Sequence, residues 1–466
     1  VQAEAAELHG CADAVTIGGM RVYRGHLIHI GGAPGLDGAR DHLVSIPDGA
    51  LAVDDAGTIG YSGAFRGLPE MTAEVVDCRP GFLLPGFIDT HIHFPQTHCV
   101  DSYGGGQLLD WLQRCVFPAE AMLADAGYAR GVARDFSSRR VAVGTTTALV
   151  FGSAFPEAQD ALFEESIAAG LRTISGRGIQ TVGPQAAEPL LTGDDQAIEL
   201  TRNEIERWHH RADELTHVAV VPRFALSVTE QTLHALGELY EDVRTDGVYF
   251  HTHLSENIGE IDAVRAGYGV QHYLDTYDGR SAGGGVSLLG RRSVFAHAVH
   301  CTDHELGRLA ETGSSIAHCP TSQLFLGSGT MPWRRTTASG VTVALGTDVS
   351  AGDEWLIPRV LNDCFKVHIS EPGGQALSIP PADLLFTATL AGARALDLED
   401  RVGNLDAGKE ADFVVIDPQR QALLPELLAR IDPEDADRLL FTLLMSMRED
   451  AIDGVYVRGR RVTAPA

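Results

Sequence analysis

Four apolar segments of this 466-residue chain each end in a side chain able to hold a metal, and that recurrence limits the fold more than any other feature. Leu83 to Ile88 read as one short buried strand running into Asp89-Thr90-His91-Ile92-His93. Val248-Tyr249-Phe250 runs into His251-Thr252-His253-Leu254-Ser255-Glu256, Ser293-Val294-Phe295-Ala296 into His297, and Val341 to Leu345 into Gly346-Thr347-Asp348. Side chains alternate along a strand, so His91 and His93 look the same way with Ile92 opposite. One His-x-His pair in a chain of 19 histidines is as well explained by chance. Four ligand-bearing strand ends are not. A parallel (β/α) barrel builds its active site from the C-terminal ends of several strands. The expected fold is therefore α/β, with a TIM-like (β/α)8 barrel.

The rest of the chain agrees with that frame. Alternating strand and helix signals fill residues 81–407, as βα units do. Helices are predicted over 196–216, from Glu230, over 303–312 and over 383–398, and an amphipathic piece begins at Leu108. Short strands are predicted at 14–17, 21–23 and 51–53, and Asp54-Asp55-Ala56-Gly57 reads as a hairpin turn into 58–61. Segments 408–416 and 454–460 also read as strands, and periodicity alone allows the two ends to be separate pieces. Gly104-Gly105-Gly106 and Gly283-Gly284-Gly285 are loop-like, and no dinucleotide fingerprint is present.

Charge and composition exclude several functions. A net charge of −27 makes nucleic acid an unsuitable partner, since phosphate binding depends on Lys and Arg. A free base remains a suitable one. No run of 18 apolar residues occurs, so no membrane partner is expected. The opening VQAEAAELHG lacks an initiator Met and has no secretion-signal pattern, which makes the cytoplasm the default location. Seven scattered cysteines include no C-x-x-C pair, which argues against a disulfide framework and a cysteine zinc site. The H-x-E…P-C-x-x-C signature of one class of zinc base deaminases is also missing.

The set PGFIDTHIH, HTHLSE, AHAVH and LGTDV resembles the amidohydrolase superfamily in its one-metal deaminase branch. In detail it is similar to the guanine deaminases. The shared stretches include His91-Ile92-His93-Phe94-Pro95-Gln96, Phe117-Pro118-Ala119-Glu120, Pro222-Arg223-Phe224-Ala225-Leu226-Ser227 and Ser315-Ile316-Ala317-His318-Cys319-Pro320. The resemblance implies a barrel over 81–407 and a small β-sandwich formed by both termini, residues 1–80 with 408–466. It implies hydrolytic deamination of guanine to xanthine by a metal-activated water, and a homodimer. Deamination of another amino-heterocycle (8-oxoguanine, a pterin or a triazine) is the alternative, and a catalytically silent scaffold a distant third.

The resemblance also assigns residues. His91, His93, His253 and Asp348 are the expected metal ligands. Zn2+ is the first choice, and Fe2+ fits the same N/O donors. Two-metal relatives bridge their ions with a carboxylated lysine, and no lysine lies between His93 and Lys366, so one ion is expected. Glu256 is the expected proton shuttle, His297 the residue that orients the attacking water, and Asp348 a second proton acceptor. Gln96, Arg223 and Phe224 are the expected substrate contacts, an amide and a guanidinium for the edges of a planar base and a ring for its face. His251 reads as a supporting or merely packed histidine. Trp111 and Phe117 fit either a lid or ordinary packing. Residues 181–184 and 321–323 depart from the pattern and bear on which base is taken.

Overall fold

The computed structural model describes residues 19–99, 107–371 and 379–465. The strand expected at 14–17 and the patch at 104–106 lie outside the described residues. Among the described residues, fifteen strands make two sheets.

The first sheet joins β1 (Met20–Ile30), β2 (Leu43–Val53), β3 (Ile59–Ala64) and β4 (Ala73–Pro85) to three strands from the far end of the chain. With the barrel strands numbered β5 to β12, those three are β13 (Phe413–Ile416), β14 (Ile452–Val457) and β15 (Arg460–Arg461). The order is β15-β14-β13-β4-β1-β2-β3, and β4 pairs antiparallel with β13, Leu84 opposite Val414. The apolar run 83–88 thus divides between two sheets. Pro85 and Gly86 are where it divides: a Cβ on Gly86 would lie 2.2 Å from the Thr146 hydroxyl, so only glycine lets the chain pass so close to the barrel.

The barrel strands are β5 (Phe87–His93), β6 (Thr145–Phe151), β7 (Arg172–Gly176), β8 (Thr216–Val220), β9 (Tyr249–Leu254), β10 (Ser293–His297), β11 (Ser315–His318) and β12 (Thr342–Leu345). All neighbours pair parallel in that order. The ring closes just beyond β12, where Asp348 N–H donates to His91 O at 2.8 Å and His93 N–H donates to Val349 O at 3.1 Å. Inside, Leu149, Phe151, Ile174, Tyr249 and Val294 pack with Ala393 and Leu396, so the interior is filled.

Helices cover the outside, with two departures from the expected spans. The helix predicted over 196–216 runs only Asp194–Trp208. Beyond it His209 Nδ1 accepts the Val218 N–H and His210 bonds the Asp246 carbonyl, and these side-chain bonds draw the chain off the helix axis. His210, Ala212, Asp213 and Glu214 all take positive φ there. The helix predicted over 383–398 is two, Pro381–Ala388 and Leu390–Ala395, broken at Thr389, whose hydroxyl donates back to the Leu385 carbonyl.

Candidate active site

Strand β5 would place the first histidines on the wrong face if it were regular. Ile88 packs inside the barrel and Ile92 outside it, although strict alternation puts both on one face. A register irregularity between Asp89 and Ile92 reverses the phase and turns His91 and His93 inwards. Asp89 braces the bend: its carboxylate accepts the N–H groups of His91 and Thr347, each at 3.1 Å, and the Thr347 hydroxyl at 2.6 Å. Burial pushes that carboxyl up to about 7. Gly346 lets the end of β12 lie against His91, since a Cβ there would sit 2.7 Å from His91 Cβ.

The ends of β9, β10 and β12 carry backbone strain where they meet the site. Ser255, His297, Ala298 and Asp348 all have positive φ, between 49° and 73°, a region costly for residues with a Cβ. The turns aim Glu256, His297 and Asp348 over the mouth of the barrel.

The structure brings the four expected ligands together. His91 Nε2 lies 3.1 Å and His93 Nε2 3.2 Å from Asp348 Oδ1, and His253 Nε2 lies 3.2 Å from His93 Nε2. The hydrogen bonds fix three of the imidazole tautomers. His251 Nδ1–H donates to the Val294 carbonyl at 2.8 Å, which leaves its Nε2 as acceptor for His91 Nδ1–H at 2.7 Å. His91 Nε2 is therefore a bare lone pair, buried and without a hydrogen-bond partner. His253 Nδ1–H likewise donates to the Arg223 carbonyl at 2.6 Å, so its Nε2 is also a lone pair. Two imidazole lone pairs and a carboxylate oxygen converging in a dry space repel one another unless a cation lies among them. The donor set, three histidine nitrogens and an aspartate, suits a divalent transition metal. The potential ligand atoms of His91, His253, His297 and Asp348 all lie within 4.8 Å of one another.

Protonation follows from burial. Desolvation pushes His91 and His297 down to about 3 and His253 well below its ordinary value, so all three are neutral near pH 7. Burial alone would raise Asp348; the positive charge that holds it well below the usual carboxylate range would come from a cation among these donors, since the imidazoles around it are neutral. Glu256 goes the other way: desolvation first, then the nearby Asp348 and Glu260 charges, lift it well above 4.5. Its Oε2 is 3.4 Å from His297 Nε2, which is itself 3.8 Å from Asp348 Oδ2, and its Oε1 accepts the Ser328 hydroxyl at 3.3 Å.

Above these groups lies a cavity of about 390 Å³, lined by Gln96, Arg223 and Phe224 together with Trp111, His93, His253, Glu256, His297 and Asp348. Gln96 and Arg223 are tied to one carboxylate. Glu120 accepts from Gln96 Nε2 at 2.9 Å and from Arg223 Nη1 at 2.7 Å, while the Ser350 N–H points at Gln96 Oε1 at 3.3 Å. The Arg223 guanidinium also sits over the Phe117 ring at 5.3 Å. Glu120 is the residue that sequence reasoning missed; the stretch Phe117-Pro118-Ala119-Glu120 marked the place without revealing its partners. His251 takes a definite part as the brace of His91. Neither 181–184 nor 321–323 lines the cavity. Lys366 is exposed on an outer helix and Lys409 Nζ bonds the Glu399 carbonyl, so neither lysine reaches the site. The six cysteines among the described residues are free, and no described helix is long and apolar enough to cross a membrane.

Comparison with known proteins agrees with this architecture. The model of the amidohydrolase family matches residues 82–462. A probable guanine deaminase of Deinococcus radiodurans is 43% identical over 96% of this chain and 99% of its own length. The guanine deaminase of Escherichia coli K12 is 37% identical over 90% of this chain and 91% of its own length. A solved structure of E. coli guanine deaminase superposes with a TM-score of 0.85 at 33% identity, covering 96% of this chain and 99% of that one.

Proposed function

The chain belongs to the amidohydrolase family, and from that premise we propose that it hydrolyses guanine to xanthine and ammonia. The observation that carries the reading is the cavity itself. Its floor presents donors that require a cation beside the buried carboxyl of Glu256, and its wall presents Gln96, Arg223 and Phe224 to a flat polar ring. Relatives named as guanine deaminases, matching nearly the whole chain, support the choice of base. The departures at 181–184 and 321–323 lie away from the cavity lining and do not oppose it.

A divalent ion held by His91, His93, His253 and Asp348 supplies the Lewis acidity that lowers the pKa of a water from ~15.7 towards ~7. Glu256 takes one proton from the attacking water and delivers it to the ring nitrogen beside the attacked carbon. Its raised pKa keeps the intermediate protonated form accessible near neutrality. His297, within 3.4 Å of Glu256, orients the same water. Asp348, held ionised, accepts the second proton and passes it to the departing amino group. A carbon–oxygen bond forms, the carbon–nitrogen bond breaks, and ammonia leaves. Gln96 and Arg223 hold the edges of the base and Phe224 its face. Zinc as the ion, a homodimer as the assembly and the cytoplasm as the setting complete the proposal, the first supported by the donor set and the other two by resemblance.

The test is an ammonia-release assay on guanine, 8-oxoguanine, a pterin and an amino-triazine with metal-replete protein. Guanine should give the highest kcat/KM, and preference for another ring would reject the choice of base.

A further inference from the structure

Arg177, just past β7, is 2% exposed and largely unpartnered. Its Nη2 donates to the Ala154 carbonyl at 2.8 Å, while Nε and Nη1 have no hydrogen-bond partner. A guanidinium keeps its charge at any physiological pH, and a buried charge that forms no direct ion pair carries a heavy desolvation penalty; Glu204 attracts it but does not contact its side chain. The side chain opens onto a cavity of about 510 Å³ between the helices Pro156–Ala169 and Asp194–Trp208, away from the metal donors.

The carboxylates and the Gln159 amide oxygen lining that cavity are already engaged. Asp160 takes the Arg207 guanidinium at 2.8 Å on one oxygen and the Trp208 indole N–H at 2.7 Å on the other. Glu204 accepts the Arg177 backbone N–H at 3.1 Å and Gln159 Nε2 at 3.0 Å. Gln159 Oε1 accepts the Ser153 N–H at 3.1 Å. What remains for a ligand is an excess of donors around a buried positive charge. Burial pushes Glu204 up to about 8, and its two oxygens are taken by the Arg177 backbone N–H and by Gln159, so neither pairs with the Arg177 side chain.

We propose that the cavity around Arg177 binds a phosphate group, free or as a phosphomonoester. A multi-oxygen anion matches a guanidinium that offers several N–H groups in a fixed plane, and the space far exceeds a halide. With a net charge of −27 the protein does not draw anions from a distance, so retention depends on this arginine. The site also bears on the catalytic cavity: Ala154 and Phe155 pack in the apolar cluster that contains Trp111, Phe117 and Phe224.

The experiment is calorimetric titration of the metal-loaded enzyme with inorganic phosphate, and separately with ribose 5-phosphate, for the wild type, Arg177→Met and Arg177→Lys. Saturable binding of one phosphate per chain is expected, weakened at least about tenfold in both variants, with deamination of guanine retained. Tighter binding of ribose 5-phosphate identifies a phosphomonoester as the ligand; equal or weaker binding identifies free phosphate. Crystals of wild-type protein soaked in tungstate give a readout that needs no variant, with anomalous density expected beside Arg177. Absence of saturable binding, binding unchanged in the variants, or tungstate density only at the catalytic centre would overturn the proposal. So would a change of oligomeric state in the variants with phosphate binding intact, which would assign Arg177 to a subunit contact.

Discussion

Replacing Glu120 by Gln isolates the group that holds both proposed base-reading side chains. Glu120, Gln96 and Arg223 are all 5% exposed or less, so the bonds between them are little screened by water. The carboxylate receives Arg223 Nη1 at 2.7 Å and Gln96 Nε2 at 2.9 Å, one on each oxygen. A glutamine keeps the shape but offers only one oxygen. Its NH2 must then face either the guanidinium or the Gln96 amide, so one of the two turns out of place. A hydrogen bond to a charged group contributes about 1.5–3 kcal/mol, and 1.4 kcal/mol is a factor of ten. The expected loss in kcat/KM for guanine is therefore about 10- to 150-fold, mostly in KM, because the metal donors are untouched. Glu120→Ala should in addition destabilise the fold by about 3–5 kcal/mol, since it strands Arg223 as a buried cation. Steady-state ammonia release with guanine, metal content and a denaturant titration measure these together. A Glu120→Gln enzyme within twofold of wild type in kcat/KM would show that Gln96 and Arg223 do not depend on this carboxylate to read the base.

Glu256→Gln should keep its metal and lose roughly two to four orders of magnitude in kcat, because the amide cannot carry the proton; near-normal turnover would remove Glu256 from the reaction. His251→Phe fills the same space but cannot accept from His91 Nδ1, so metal affinity, measured by chelator competition, should fall about 10- to 100-fold. His26→Gln tests stability against pH. His26 is buried against Ser45 and Phe82, and burial lowers it from 6.5 to about 4. Its folded pKa lies below the unfolded one, so the stability it gives by staying neutral is full above pH 6.5 and is lost as pH falls through 4. At ~1.36 kcal/mol per pKa unit the bound is about 3 kcal/mol. Urea titrations should show the wild type losing stability faster than His26→Gln between pH 6.5 and 4; parallel curves would contradict the linkage.

The barrel and its donors were legible because the same arrangement, a short apolar run ending in His or Asp, recurs in one chain. Residues two apart on a strand had to share a face, which paired His91 with His93 and His251 with His253. What the sequence does not display is irregular backbone and partnership at a distance. The phase reversal between Asp89 and Ile92 leaves no mark in the residue types, nor do the left-handed conformations of His297 and Asp348, which β-strand propensity would not suggest. Glu120 meets Arg223 across 103 residues of chain, and only the folded barrel shows that one carboxylate serves two side chains. The apolar run 83–88 read as one strand because hydrophobicity is the same on both sides of Pro85-Gly86; the division depends on Thr146 crowding Gly86. The helix predicted through residue 216 stops at Trp208 because His209 and His210 find partners on neighbouring segments, which a helical repeat cannot foresee.

The central claim is that one cation, gathered by His91, His93, His253 and Asp348, makes this fold an enzyme. Anomalous diffraction recorded on either side of the zinc and iron absorption edges from crystals of the purified protein tests it most directly. The prediction is a single strong peak at the catalytic centre, enclosed by those four side chains. Two peaks there, or a peak that His91 and Asp348 do not touch, would contradict it.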